Sequence, residues 1–190
     1  MTQFWWVRHG PTHKKAAIGW SDPPADLTDT DALSRLSAHL PADALVVSSD
    51  LQRAVKTADA IQSSRTRLPH NPDIREMNYG AWEGLDFDAI GILDPDLSRQ
   101  FWTTPGDIAP PNGESWNTLS ARIATAIDTL SDQHDNIIAV AHFGAILAAL
   151  QIAGGFDAKH AFTFKIDNLS VTRLDRLASG WRIHGVNHTP

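Results

Sequence analysis

The chain of 190 residues carries 22 acidic side chains against 16 Lys and Arg, a formal charge of −6, with 42% hydrophobic residues and 20% charged ones. That is the balance of a folded chain with a sizeable apolar core, and it lacks the broad basic field that nucleic acid or an anionic membrane requires. The absence of cysteine excludes disulfides, thiolate metal sites and cysteine nucleophiles.

The chain opens on an apolar run, Phe4 to Val7. Arg8 ends it far short of a membrane span or a signal core, so a cytoplasmic protein is expected. The run is mostly aromatic or branched and does not alternate with polar residues, as expected of a strand buried on both faces. Leu33, Leu36 and Leu40 then make a helical stripe, with Thr28 as the predicted cap. A second buried strand is predicted over Ala44 to Val47. It leads into a helix with Leu51, Ala54, Val55, Ala58 and Ile61 on one face, capped by Ser49 or Asp50.

From Asp94 to Pro111 the chain holds Pro95, Pro105, Gly106, Pro110 and Pro111. This predicts an irregular excursion with one short helix near Leu97 to Trp102. Trp116 to Leu130 reads as a long amphipathic helix, Ile137 to Ala141 as a third buried strand, and Ile146 to Ile152 as a buried helix. Near the end, Leu169 to Leu174 and Trp181 to Val186 alternate around a turn at 177–180, which predicts a hairpin. Strands alternating with helices predict a three-layer α/β/α sandwich around a mainly parallel sheet. One domain over residues 1–190 is expected, with a cap-like insertion at about 85–115.

Each buried strand runs directly into a polar cluster: Arg8-His9-Gly10-Pro11-Thr12, Ser48-Ser49-Asp50-Leu51-Gln52-Arg53, and His142-Phe143-Gly144. Parallel strands would bring these clusters to one sheet edge, where ligands of such folds bind. Two guanidinium groups beside two imidazoles suit a tetrahedral dianion. A neutral imidazole is a competent nucleophile toward phosphorus. Gly10 and Gly144 would let backbone amides approach the anion. A proton donor for the leaving oxygen is expected from Glu76 or Glu83, which lie in the turn-rich, aromatic segment 75–84. His9 and His13 are four apart, but Gly10 and Pro11 oppose the helix that would make them a metal pair.

Taken together, these clusters resemble the histidine phosphatase superfamily, the phosphoglycerate-mutase-like proteins. Arg8-His9-Gly10-Pro11-Thr12 is similar to its Arg-His-Gly signature, Ser48 to Ala58 to its second motif, and Glu76 to Gly84 to its proton-donor segment. Gly113-Glu114-Ser115 and Ala141-His142-Phe143-Gly144 resemble two further motifs. The resemblance implies a metal-independent phosphomonoesterase with no cofactor, acting on a small phosphate ester. His9 would carry a phosphohistidine and Glu76 would serve as general acid and base. Arg8, Arg53, His142, Thr12 and Gly144 would bind substrate, together with Lys15, which stands where the family often has a phosphate-binding Asn. A phosphoglycerate-type mutase, or a non-catalytic binder of phosphate ligands, are the alternatives; the mutases of the family are usually longer. Trp82 and Trp102 are candidates for the cleft wall, and His13 and His188 for its rim.

Overall fold

The computed structural model describes residues 1–190. The elements are β1 (Thr2–Arg8), α1 (Thr30–His39), β2 (Leu45–Ser48), α2 (Gln52–Ile61), β3 (Thr66–Arg67), α3 (Phe87–Leu93), α4 (Pro95–Thr103), α5 (Trp116–Ser131), β4 (Asn136–Ala141), α6 (Phe143–Gly154), α7 (Ala158–Ala161), β5 (Val171–Leu177) and β6 (Gly180–His188). Short 3-10 turns occupy Pro72–Ile74 and Gly80–Trp82. The three predicted apolar runs become the neighbouring strands β2, β4 and β1 of a six-stranded sheet ordered β3-β2-β4-β1-β5-β6. The pairs β3–β2, β2–β4 and β4–β1 are parallel, and β5 joins β1 antiparallel. The sheet is mixed, and the α/β sandwich stands.

Alternation along the strands sets the layers, because successive side chains of a strand point to opposite faces. Ile137, Ala139 and Ala141 of β4 enter a core with Phe4, Trp6, Leu119, Ile123, Ile146 and Leu147. Ile138 and Val140 enter a second core with Val7, Leu36, Val46, Ala54 and Ile61. Helices α5 and α6 therefore cover one face and α1 and α2 the other. No helix is long and apolar enough to cross a membrane.

Two predicted caps are corrected. Helix α1 is capped by Asp29, whose side chain accepts from the Ala32 amide at 2.9 Å, while Thr28 bonds back to Asp26. Helix α2 starts after Leu51 without a side-chain cap. Ser49 and Asp50 do not serve because each has another partner: His142 for Ser49, and the Arg75 guanidinium, at 2.6 Å, for Asp50. The excursion is more ordered than predicted, with α3 and α4 meeting at Asp94, and α7 and β3 were not predicted at all. The hairpin's first strand begins at Val171, since Leu169 has φ +59° and cannot belong to an extended strand.

Leu147 is wholly buried between sheet and helix. Leu147→Ala should cost about 2–5 kcal/mol, the usual range for a buried leucine whose cavity does not collapse. Urea denaturation should show a lower midpoint with an unchanged slope.

Candidate active site

Register builds the site. Arg8 pairs with Ala141 across β1 and β4, so the next residues, His9 and His142, emerge side by side at the carboxyl ends, with ring centroids 5.0 Å apart. Beyond the neighbouring end of β2, the first turn of α2 carries Arg53 inward. The three clusters converge as the sequence predicts.

His9 is held in one chemical form. Its Nδ1–H donates to the Gly10 carbonyl at 2.6 Å, and the Arg53 Nε–H donates to its Nε2 at 3.3 Å. Nε2 is therefore the nitrogen with the free pair. Burial, then the charge of Arg53, and to a smaller degree that of Arg8, push the imidazole down to about 3; the Gly10 bond opposes them. The ring is thus neutral at ordinary pH. His142 is also held well below the usual imidazole range, first by burial and then by His9 and the arginines; the Ser49 hydroxyl lies 2.6 Å from its Nε2. The His9 backbone is pinned on both sides, its amide donating to Ala141 at 3.1 Å and its carbonyl accepting from Asn168 at 2.8 Å.

The arginines are fixed from behind. Arg53 donates to the carbonyls of Gly19 (2.6 Å) and Ser21 (2.7 Å). Arg8 donates to the Ile166 carbonyl, and its Nε is buried without a partner. Burial lowers both guanidinium pKa values, an effect that Glu76 beside them opposes. Arginine keeps its charge under such shifts.

Glu76 and Glu83 part company here. Glu76, 7% exposed, lines the cleft and accepts from the Gly144 amide at the start of α6, with both oxygens at 3.1 Å. A Cβ on residue 144 would stand 2.4 Å from Glu76 Oε1, so only glycine allows the approach. Glu83 does not line the cleft. It accepts from the amides of Gly19, Trp20, Ser21 and Tyr79 and from the Ser21 hydroxyl. It therefore shapes the loop whose carbonyls hold Arg53.

The cleft has a volume of about 210 Å³ and also takes in Thr12, Ala16, Ile18, Tyr79, Phe87 and Phe143. Lysine at its mouth is Lys14 rather than Lys15, which is exposed outside the lining. His13 takes φ +56° and turns the chain there. Trp82 is fully buried, with its Nε1 donating to Asp94 at 2.7 Å, so it is core rather than wall. Trp102 backs the wall through Phe87, their ring centroids 5.4 Å apart. His13 pairs with Asp26, and His188 packs on His39; neither lines the cleft. A larger groove of about 700 Å³ beside α1 and α2 is less suited to chemistry. Its one cation, Arg65, is committed to the carbonyls of Ser37, Leu40, Pro41 and Ile61.

Two residues that sequence reasoning did not assign complete the frame. Arg122 of α5 forms a two-pronged ion pair with Glu114, both contacts 2.8 Å, and donates to the carbonyls of Asp73, Arg75 and Glu76. Glu114 accepts from the Asn78 amide at 2.9 Å. The pair clamps the loop that carries Glu76. Glu114 belongs to the Gly113-Glu114-Ser115 motif, the one signal that pointed here; Arg122 on a helix face gave none.

The description "histidine phosphatase superfamily (branch 1)" matches residues 4–189. Bifunctional protein Rv2228c of Mycobacterium tuberculosis is 31% identical over 140 residues, which is 72% of this chain and 38% of that protein. The chain thus spans well under half of that relative's length. A protein of Shigella boydii named probable phosphoglycerate mutase GpmB is 28% identical over 95% of this chain and 90% of its own. Among solved structures, Bacillus stearothermophilus YhfR superposes with a TM-score of 0.90 at 24% identity, covering all of this chain and 98% of that one.

The depressed His9 pKa has a consequence for stability. The unfolded imidazole takes a proton near pH 6.5 and the folded one only near 3, so the unfolded state binds more protons between those values and stability falls as pH falls through that window. Removing the imidazole removes its contribution, about 1.4 kcal/mol per pH unit at most. Chemical denaturation at pH 7, 6, 5 and 4 should therefore show a shallower acid loss for His9→Gln than for wild type. Parallel losses would contradict a neutral, buried His9.

Proposed function

Because the chain belongs to the histidine phosphatase superfamily, branch 1, we propose that it is a metal-independent phosphomonoesterase that hydrolyses a small phosphate ester through a phosphohistidine on His9. The observation that carries this reading is the fixed tautomer of His9, with its unprotonated Nε2 against Arg53 and its Nδ1–H on the Gly10 carbonyl. Nε2 is the attacking atom. Its lone pair forms the P–N bond as the ester P–O bond breaks, and a protonated Glu76 delivers its proton to the departing oxygen. The positive charge that the ring acquires is met by the Gly10 carbonyl through Nδ1–H.

Arg8 and Arg53 neutralise and orient the equatorial oxygens, which is most of what phosphoryl transfer asks of a protein, and the uncharged imidazole of His142 beside His9 offers a hydrogen bond only. Thr12 contributes a donor beside them; the Gly144 amide, which the sequence assigned to substrate, is instead bonded to both oxygens of Glu76 and lies outside the cleft lining. In the second step water attacks phosphorus, Glu76 takes its proton, and the P–N pair returns to Nε2. Phosphate leaves and the enzyme is restored.

A mutase is the second reading, favoured by one observation: the Shigella boydii relative named as a probable mutase aligns over 95% of this chain and 90% of its own length, without a large extra segment. Length therefore gives no ground for preferring hydrolysis. The mouth of the cleft does, since Lys14 and Phe87 there are exposed, and retaining a phosphoenzyme against water depends on excluding water.

On an alkyl phosphate, Glu76→Gln should lose about 10²–10⁴ in kcat/KM, which reports the step that expels the alcohol; that is the range for removing a general acid. It should lose much less on a dinitrophenyl ester, whose leaving group needs no proton. The assays are run in EDTA with phosphate release as readout. Equal losses on both esters would remove Glu76 from the acid role, dependence on added divalent metal would remove the metal-free reading, and isomerised phosphoglycerate without free phosphate would establish the mutase.

A further inference from the structure

Phosphoryl chemistry accounts for Arg8, His9, Arg53 and Glu76 but leaves most of the remaining cleft lining without a task. There the lining turns apolar, with Ile18, Tyr79, Phe87 and Phe143, and its polar side chains are only Thr12, Lys14 and the Tyr79 phenol. Apart from Glu76, no carboxylate or carboxamide faces the cleft. Phe87 is 63% exposed and Trp102 37%, and the two rings meet edge to face.

Exposed aromatics at the lip of a cleft keep apolar surface in water, a cost that a ligand can relieve, and these two are held in place. Helices α3 and α4 join at Asp94, which the buried Trp82 indole holds at 2.7 Å. The lead into α3 is tied to the other lip by backbone bonds between Ala17 and Leu85 (2.8 Å) and between Gly84 and Ala17 (2.9 Å). The wall is built before any ligand arrives.

We propose that this wall receives the leaving group, and that the preferred substrate is a small monoester of an apolar or aromatic alcohol rather than a sugar or polyol phosphate, with Phe87 and Trp102 determining the choice. The proposal rests on the phosphatase reading. Sugar hydroxyls moved into such a cleft would lose water without gaining paired acceptors, a cost that recurs for each unmatched group. A ring would instead gain edge and face contacts with Phe87 and Tyr79. The volume also fits: a cavity of roughly 150 Å³ holds a benzene ring, and this cleft offers about 210 Å³ for a ring and the phosphoryl group.

The test compares kcat/KM for benzyl phosphate and glycerol 1-phosphate, both esters of primary alcohols, so that the acidity of the leaving group does not decide the outcome. Benzyl phosphate should lead by about tenfold or more, and the ratio should fall several-fold in Phe87→Ala and in Trp102→Ala, as expected for losing an aromatic contact. Both residues are partly exposed, so the variants should fold. Glycerol phosphate turned over equally well, or a ratio unmoved by both substitutions, would overturn the proposal. Affinities for benzylphosphonate and methylphosphonate separate this failure from failure of the phosphatase reading. With neither ester hydrolysed, a benzyl preference that weakens in Phe87→Ala still supports the wall, and equal affinities overturn it.

Discussion

A histidine attacks phosphorus only through a nitrogen that carries no proton, and His9 meets that constraint through a single bond, from its Nδ1–H to the carbonyl of the next residue. Everything nearby serves the same condition. Burial and two flanking guanidinium groups hold the ring far below its usual pKa, so Nε2 keeps its lone pair across the working pH range. The same arginines that disfavour a proton on the ring favour a phosphoryl dianion beside it. In the proposed mechanism one set of charges thus prepares the nucleophile and the seat of its partner.

Concentrating that much positive charge inside an acidic protein requires support, and the support comes mostly from the backbone. Arg53 is held by loop carbonyls, and Glu83 gathers that loop by accepting from its amides. Arg122 and Glu114 do for the Glu76 loop what Glu83 does for the Arg53 loop. A carboxylate nest at Glu83 and a half-buried ion pair between Arg122 and Glu114 thus stand behind the groups that face the cleft. The geometry of the site depends on residues that do not line the cleft.

How much of this could be read in advance follows from how local each signal is. The central strands were legible because short branched runs end abruptly in Arg8-His9, Ser48-Ser49 and His142-Phe143, and parallel pairing leaves those ends nowhere else to go. The helix caps were not, since Ser49 and Asp50 have cap chemistry but long-range partners that only the fold supplies. Lys14 displaced Lys15 at the cleft mouth for a similar reason: the loop after Thr12 has no periodicity, and the turn at His13 sets which lysine faces inward. Helix α3 was missed because its seven residues offer too short a pattern, and with it went the position of Phe87. Arg122 looks like any arginine on an amphipathic helix until its carbonyl partners are in view.

The central claim, that Nε2 of His9 carries the phosphoryl group during turnover, is tested most directly by rapid quench. Wild type mixed with p-nitrophenyl phosphate and quenched in alkali should yield a phosphoprotein whose single phosphoryl group is stable to base, labile to acid and located on Nε2 of His9 by NMR and peptide mapping. It should be missing from folded His9→Ala. Steady release of phosphate without that species, or a phosphoryl group found on His142 instead, would contradict the account.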